Sequence, residues 1–295
     1  MKKILFLTGL GVLLLAGVCF FFRANPTAGS KRTRVVTSGY VPYTLTKQLS
    51  GGLLEVEMLL PPNAEPHSFE PSPGSLVAVH HAAALVYVSD RLEPWVQAVL
   101  GAAGKDTRVV SLADGLAQTE DPHVWMDFGA VVDMARTVVA VLTEIDPPHA
   151  AVYRDNLLRF EQEIAVLDRD FAATLANCQT REMVHIGHLA FAALAKRYNL
   201  SLRALAGTSH DGEHSARKLA DLVKHIRAQG VHALFTEEAV SPRLSSAVAA
   251  ETGAEILPLY PVEYVSKEDF NQGVSYSQFM RRNLESLQKG LKCQP

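Results

Sequence analysis

A long run of helical periodicity divides the chain into two halves and limits the folds that it can adopt. Between Tyr153 and Leu175 the apolar residues recur every three or four positions, which is the spacing of one face of an α-helix. Pro147 and Pro148 stand just before this run, where prolines favour the start of a helix. A helix over 147–177 would measure about 45 Å, more than most globular helices. We therefore predict a strut between two halves, the alternative being an ordinary long surface helix.

Short apolar runs alternate with amphipathic segments on both sides of this helix. Strand-like runs lie at 33–40, 51–62, 84–90 and 107–115 in the first half, and at 182–188, 201–207, 231–238 and 254–260 in the second. Helical patterns separate them, as is typical of sheets covered by helices. The predicted fold class is α/β, with two similar lobes at 33–146 and 178–295 joined by the single helix at 147–177.

The first 32 residues differ from the rest of the chain. A basic start is followed by an uncharged apolar run from Ile4 to Phe22, the pattern of an export signal and about long enough to span a bilayer. Val18 stands before Cys19, where a lipoprotein signal would have a small residue, and cleavage after Ala24 would leave Phe22 at a position that favours a small one. We predict that residues 1–32 are an export signal plus spacer, either removed or kept as a membrane anchor. The remainder is then periplasmic or lies on the extracytoplasmic membrane surface.

Charge and cysteine content bear on partners and on covalent bonds. The net charge is −3 at pH 7, and no block of like charge stands out, so we predict no nucleic-acid partner. Two cysteines, Cys178 and Cys293, follow the N-terminal segment. In an oxidising compartment they could form a disulfide, or they could be two unrelated buried thiols.

Three histidines stand at the ends of predicted strands. His67 lies among prolines in "EPHSFEPSP", His123 follows Pro122 in "DPHVWMDF", and His188 ends the strand "EMVHIGH". Ligands of α/β lobes gather beyond the carboxyl ends of strands, and a fixed neutral imidazole is a good metal ligand. These placements favour a shared metal site. Each histidine alone could instead be a solvated residue in a turn.

A local pattern suggests a different activity. "HDGEH" contains His210, Glu213 and His214 and satisfies the H-x-x-E-H string of some zinc proteases. In such enzymes two histidines one helical turn apart hold zinc and the glutamate acts as base. Gly212 and the position of the segment, before the helical pattern that starts at Ser215, argue against that geometry. A zinc-dependent hydrolase is therefore the alternative function, and a looser accessory metal site at His210 and His214 is another.

Four stretches, taken in order, resemble one known family. They are "PHSFEPSP" with the following "LVAVHHAAALVYVSDRLEPW", then "DPHVWMDF", "GHLAFAALAKRYNL" and "LFTEEAVSPRLSSAVAAETGAEILPL". With the long helix between the second and the third, the chain resembles the solute-binding receptors of bacterial zinc/manganese ABC importers from about Val35 to Leu291.

The resemblance implies two lobes joined by a rigid helix, with one metal ion in the cleft between them. It carries His67, His123 and His188 over as ligands. Many family members add a carboxylate from the loop after the last strand, but Tyr260 occupies the matching position here. We predict Glu263 as the fourth ligand, with Glu237, Tyr260 or a water molecule as alternatives.

Three imidazoles suit Zn²⁺ better than Mn²⁺, which favours more oxygen ligands. The resemblance implies a receptor rather than an enzyme. The motifs agree with this, because none of them contains a nucleophile with an adjacent base. The receptor would act as a monomer and deliver its ion to an ABC permease driven by a cytoplasmic ATPase. A Mn²⁺-specific receptor or an adhesin is a further alternative.

Overall fold

The computed structural model describes residues 33–116, 121–207, 216–238 and 240–294. In the first lobe, four parallel strands form a sheet in the order β2-β1-β3-β4. They are β1 (Arg34–Thr37), β2 (Glu55–Met58), β3 (Ala84–Tyr87) and β4 (Arg108–Ser111). Val35 is paired with both Val56 on β2 and Ala84 on β3, so β1 is an interior strand of the sheet.

Helices follow or cover the strands of this lobe. They are α1 (Tyr40–Ser50), α2 (Pro73–His80), α3 (Val96–Leu100) and α4 (Phe128–Ile145), with a 3₁₀ turn at Val124–Met126. Helix α4 begins at an Asp127 cap, whose carboxylate accepts from the backbone N–H groups of Gly129 and Ala130. That cap ends the "DPHVWMDF" loop and so limits where His123 can lie.

The second lobe repeats the arrangement of the first. Its parallel strands are β5 (Glu182–Ile186), β6 (Ser201–Ala204), β7 (Ala233–Thr236) and β8 (Glu255–Pro258), in the order β6-β5-β7-β8. Its helices are α6 (Ala192–Arg197), α7 (Ala216–Gln229), α8 (Pro242–Thr252), α9 (Lys267–Gln272) and α10 (Tyr276–Gly290). The strand order is that of the first lobe, so the predicted fold class of two similar α/β lobes is confirmed.

The two lobes are joined by α5 (Ala150–Ala176), a helix of 27 residues that follows a 3₁₀ turn at Pro147–His149. The predicted apolar stripe is its buried face: Tyr153, Phe160, Ile164, Leu167, Phe171 and Leu175. This face packs against α1 and α4 of the first lobe and α10 of the second. The predicted strut is therefore present. We retain 1–32, 33–146, 147–177 and 178–295 as proposed domain boundaries.

One hydrophobic cluster draws on both lobes and on α5, with Val86, Phe171 and Phe279 among its members. Smaller clusters cover the outer face of each sheet. Cys178 and Cys293, whose pairing the sequence left open, form a disulfide that ties the end of α5 to the segment after α10. Among the described residues, no helix is both long and apolar enough to cross a membrane.

Candidate metal centre

Four side chains from four loops converge between the lobes. His67 follows β2, His123 follows β4, His188 follows β5 and Glu263 follows β8. One potential ligand atom from each lies within 4.8 Å of all the others. The imidazole of His67 is 9% exposed, and the other three side chains are fully buried. The geometric expectation from the sequence, that distant strand ends bring these residues together, agrees with this arrangement.

The distances among the nitrogen and oxygen atoms suit a small cation. Nε2 of His123 lies 3.1 Å from Nε2 of His188 and 3.1 Å from a carboxylate oxygen of Glu263. Nε2 of His188 lies 3.0 Å from the other Glu263 oxygen, and Nε2 of His67 lies 3.5 Å from the first. Ligand atoms placed tetrahedrally at Zn–N and Zn–O distances would be about 3.3 Å apart.

Each imidazole is anchored at its other nitrogen. Nδ1 of His67 donates to the Leu92 carbonyl at 3.0 Å, and Nδ1 of His123 donates to Asp121 at 2.7 Å. Nδ1 of His188 donates to Glu237 at 3.0 Å. Because these oxygens accept the Nδ1 protons, the Nε2 lone pairs point into the cluster. This is the usual way in which a protein orients imidazole ligands toward a metal ion.

The "EPHSFEPSP" loop is held by more than its prolines. The indole of Trp95 donates to the Pro66 carbonyl at 2.7 Å, and its ring packs edge-on against Phe69 at 4.9 Å. The backbone N–H of His67 donates to the Glu65 carboxylate at 3.2 Å. Trp95 belongs to "LEPW" in the stretch that follows in the sequence, so the two parts of that motif meet at this loop.

The loop that carries Glu263 is fixed from both lobes. Asn283 on α10 accepts from the backbone N–H of Tyr260 and donates to its carbonyl, both at 2.8 Å. From the first lobe, the Trp125 indole donates to the Pro261 carbonyl at 2.7 Å. Val262 has a φ of 65°, a conformation that β-branched residues rarely adopt. A strained residue next to Glu263 persists because these contacts determine the path of the loop.

Glu237 lies behind His188 and is nearly fully buried. One of its oxygens accepts from both the backbone N–H and the ring Nδ1 of His188, at 2.9 and 3.0 Å. The other oxygen accepts from the Tyr264 hydroxyl at 3.2 Å. A Cβ atom at Gly187 would lie 1.9 Å from the Glu237 carboxylate, so this approach requires glycine. His185, beside them, donates from Nδ1 to the His188 carbonyl at 3.0 Å.

Charges in the cluster shift its pKa values in opposite directions. Burial alone would lower the pKa of His188, but the charge of Glu263 and hydrogen bonds with Glu237 and Glu263 outweigh burial and raise it to about 10. The pKa of His123 also rises, because its hydrogen bonds to Asp121 and Glu263 outweigh burial. Burial would raise the pKa of Glu263, yet the neighbouring His188, with hydrogen bonds from all three imidazoles, holds it well below its usual value. A cation that binds here must therefore displace protons from imidazole.

The candidates for the fourth metal ligand lie at different distances from the three imidazoles. Glu263 joins the three imidazoles, whereas Glu237 contacts the far nitrogen of His188. The ring of Tyr260 packs instead against Phe279 and Arg282. The anchoring carboxylates were not anticipated from the sequence. Asp121, two residues before His123, could have been found as part of the "DPHVW" motif, but nothing local links Glu237 to His188.

The comparisons with known proteins agree with this architecture. The family described as "Zinc-uptake complex component A periplasmic" (ZnuA) matches residues 35–290. The chain belongs to this family. It is 29% identical over 301 residues to the high-affinity zinc uptake system protein ZnuA of Bacillus subtilis, a match that covers 94% of each chain. Membership in a family of solute-binding receptors confirms the prediction that the chain is not an enzyme. The hydrolase alternative finds no support, and its "HDGEH" segment lies outside the described residues.

Two solved structures are similar over most of the ZnuA-family fold. The Zn(II)-bound ZnuA-like domain of Streptococcus pneumoniae AdcA has a TM-score of 0.78 and 27% identity, covering 88% of this chain and 99% of the domain. This chain spans 60% of the full-length S. pneumoniae zinc-binding lipoprotein AdcA. The laminin-binding protein Lmb of Streptococcus agalactiae, described as an adhesin with metal transporting activity, has a TM-score of 0.80 and 30% identity, covering 88% and 99%.

Proposed function

We propose that this chain is an extracytoplasmic receptor that binds one Zn²⁺ ion between its lobes through His67, His123, His188 and Glu263. It passes the ion to a membrane permease of the ABC class that is driven by a cytoplasmic ATPase, and it works as a monomer. In this role residues 1–32 direct export of the chain or anchor it at the membrane.

The observation that carries the proposal is the convergence of four ligand atoms within 4.8 Å, with each imidazole anchored at Nδ1. A random group of polar residues would not leave three Nε2 lone pairs facing one carboxylate. Three nitrogens and one carboxylate oxygen form a donor set that zinc accepts in tetrahedral sites, whereas manganese favours oxygen-rich sites. The zinc-binding names of the relatives support the same ion.

The direct test is zinc binding by the purified chain and by single alanine variants. We expect about one zinc per chain in the wild type, and at least about 100-fold weaker binding for His67→Ala, His123→Ala or His188→Ala, because each removes one ligand. Competition with a chromophoric zinc chelator measures the affinity, and metal analysis gives the stoichiometry. His232→Ala is the matched control, because that histidine is exposed and lies away from the cluster. Binding that stays near the wild-type value after all three changes would contradict the proposal.

Adhesion is a second candidate, favoured by the structural similarity to Lmb at 30% identity. The two functions are separated by binding to immobilised laminin with and without zinc. Retention of the wild-type chain on immobilised laminin would favour the adhesin function.

A further inference from the structure

We propose that Glu65 is a transient ligand that passes Zn²⁺ to His67 when the ion enters the cleft and accepts it again when the ion leaves. This inference rests on the proposed function and concerns the access route to the same site. It assigns a role to a carboxylate that lies beside the cluster without belonging to it.

The exposure of the four converging side chains indicates from which side solvent comes nearest to the cluster. His123, His188 and Glu263 are sealed from solvent, whereas the His67 side chain keeps 9% of its surface exposed. Nε2 of His67 is itself buried and faces a carboxylate oxygen of Glu263 at 3.5 Å. The partly exposed His67 side chain therefore marks the side on which the cluster lies nearest to solvent.

Glu65 lies beside Nε2 of His67. One of its carboxylate oxygens lies 3.9 Å from Nε2 of His67, and the side chain is 24% exposed. The same oxygen accepts from the His67 backbone N–H at 3.2 Å, which keeps the carboxylate near the ligand. This oxygen does not belong to the group of four ligand atoms that converge in the present arrangement. A small rotation of the side chain would bring it within coordination distance.

A small cavity continues from this point toward solvent. Its volume is about 100 Å³, and its lining residues are Asn63, Ala64, Glu65, Glu238 and Tyr264. Two of these lining residues carry a carboxylate, and none of them carries a cationic side chain. Tyr264 also donates to Glu237, the anchor of His188, so the cavity reaches the second lobe of the site as well. Negative charge along a narrow path attracts a divalent cation and raises its rate of association.

A larger cavity of about 870 Å³ reaches the cluster at His123, and it is the competing route. Lys196 and Arg197 line it together with Asp121, Asp127 and Asp133, and Arg197 forms an ion pair with Asp127 at 3.0 Å. It meets His123 on the side of Asp121, which accepts the Nδ1 proton, so the ring itself stands between this cavity and the Nε2 lone pair. Because the His123 ring blocks the ligand nitrogen from this side, the cavity is a poor path for Zn²⁺.

The test is the kinetics of zinc exchange in the full chain, purified in mild detergent. Stopped-flow mixing with zinc gives the association rate constant, and a chase with excess chelator gives the dissociation rate constant. For Glu65→Gln we expect both rate constants to fall, on the order of 10-fold, because one charge near a divalent ion is lost from the path in both directions. The affinity and the stoichiometry of one zinc should stay near the wild-type values.

Two further variants sharpen the result. Glu70→Gln removes the same charge from an exposed position in the same loop and should leave both rate constants unchanged. Lys196→Gln should also leave them unchanged, whereas faster association in this variant would show that the ion uses the larger cavity and would overturn the inference.

Two outcomes for Glu65→Gln would also overturn it. Unchanged rate constants would mean that the carboxylate takes no part in exchange. Faster dissociation with a large loss of affinity would mean that Glu65 is a permanent ligand. Because Gln retains an oxygen that can accept from the His67 backbone, the variant should fold, and circular dichroism checks this. Failure of the wild-type chain to bind zinc would instead refute the proposed function.

Discussion

The two lobes share a strand order but use the buried carboxylate that follows their third strand in different ways. In the second lobe, Glu237 directly follows the third strand, β7, and its carboxylate accepts from the ring of His188. In the first lobe, a buried carboxylate also follows the third strand, β3, but it belongs to Glu93 and accepts from the backbone N–H groups of Val88 and Ser89. The adjacent Leu92 carbonyl, rather than a carboxylate, accepts from His67.

The difference separates a charged anchor from a neutral one. Glu237 places negative charge against a ligand imidazole and, together with Glu263, outweighs burial to raise the pKa of His188. Glu93 accepts from backbone N–H groups and so holds the turn from which the Leu92 carbonyl accepts the Nδ1 proton of His67. The second lobe thus provides His188, which is buried and has a charged anchor. The first lobe provides both His123, which is buried and anchored by Asp121, and His67, which lies on the solvent side and has a neutral anchor. This asymmetry agrees with access of the ion through the first lobe's His67 loop.

The largest expected effect in this comparison comes from Glu93 and concerns how the free energy of unfolding changes with pH. Burial raises the pKa of Glu93 from its ordinary value of 4.5 to about 7. Between these values the folded chain keeps a proton that the unfolded chain releases, so the free energy of unfolding falls as the pH rises. The total loss is about 3 kcal/mol above the folded-state pKa and is absent below the unfolded-state pKa.

Glu93→Gln should remove this loss. Relative to wild type, its free energy of unfolding should increase by about 3 kcal/mol between pH 4 and pH 8, measured by urea unfolding of metal-free protein. Glu70→Gln, an exposed change in the same lobe, serves as the control. A constant difference between Glu93→Gln and wild type across this range would show that the pKa of Glu93 is the same in the folded and the unfolded chain.

The next effect compares two glycines that follow equivalent strands. Gly187 follows β5, and a Cβ there would lie 1.9 Å from Glu237 and 2.5 Å from the His185 ring. Gly39 follows β1, and a Cβ there would lie 3.7 Å from Glu93, an ordinary contact. Gly187→Ala should weaken zinc binding by about 100-fold, because it displaces the anchor of His188.

Gly39→Ala is the matched substitution in the first lobe. Its φ of −137° suits alanine, so zinc affinity should stay near the wild-type value, and stability should change by less than about 1 kcal/mol. Chelator competition measures the affinity of both variants. Equal losses in the two variants would show that the close approach of Glu237 to residue 187 has no special role.

The smallest effect comes from neutralising the charged anchor itself. Glu237→Gln keeps an oxygen that can accept from the ring of His188 but removes the negative charge, so zinc affinity should fall by about 10-fold. Chelator competition at neutral pH measures it, with Glu285→Gln as an exposed control in the same lobe. An affinity equal to that of wild type would mean that Glu237 acts through hydrogen bonding alone.

Local patterns were sufficient for much of the fold. The apolar stripe from Tyr153 to Leu175 predicted α5, and its six buried residues lie on the predicted face. The strands were found because each is a short apolar run between turn residues. Helices α1 and α9 had no such prediction. Helix α1 contains Pro42 and two threonines, and α9 is a short polar helix, so neither has a clear apolar period.

Local sequence patterns predicted only part of the candidate site. His67, His123 and His188 each lie in a recognisable motif at a strand end, and all three converge. The choice among Glu263, Glu237 and Tyr260 required coordinates, because a loop of irregular backbone decides which side chain points inward. The positive φ of Val262 and the clamp by Asn283 depend on contacts with α10 and with Trp125 of the other lobe.

By itself the amino-acid sequence determined the α/β class, the duplicated lobes, the long connecting helix and three histidines placed for a metal ion, because periodicity and turn chemistry act within a few neighbouring residues. The tertiary structure alone decided the fourth converging group, the anchors behind each imidazole, the disulfide and the side on which the cluster meets solvent. Each of these depends on atoms that are brought together from segments far apart in the chain, and no local preference encodes such distances.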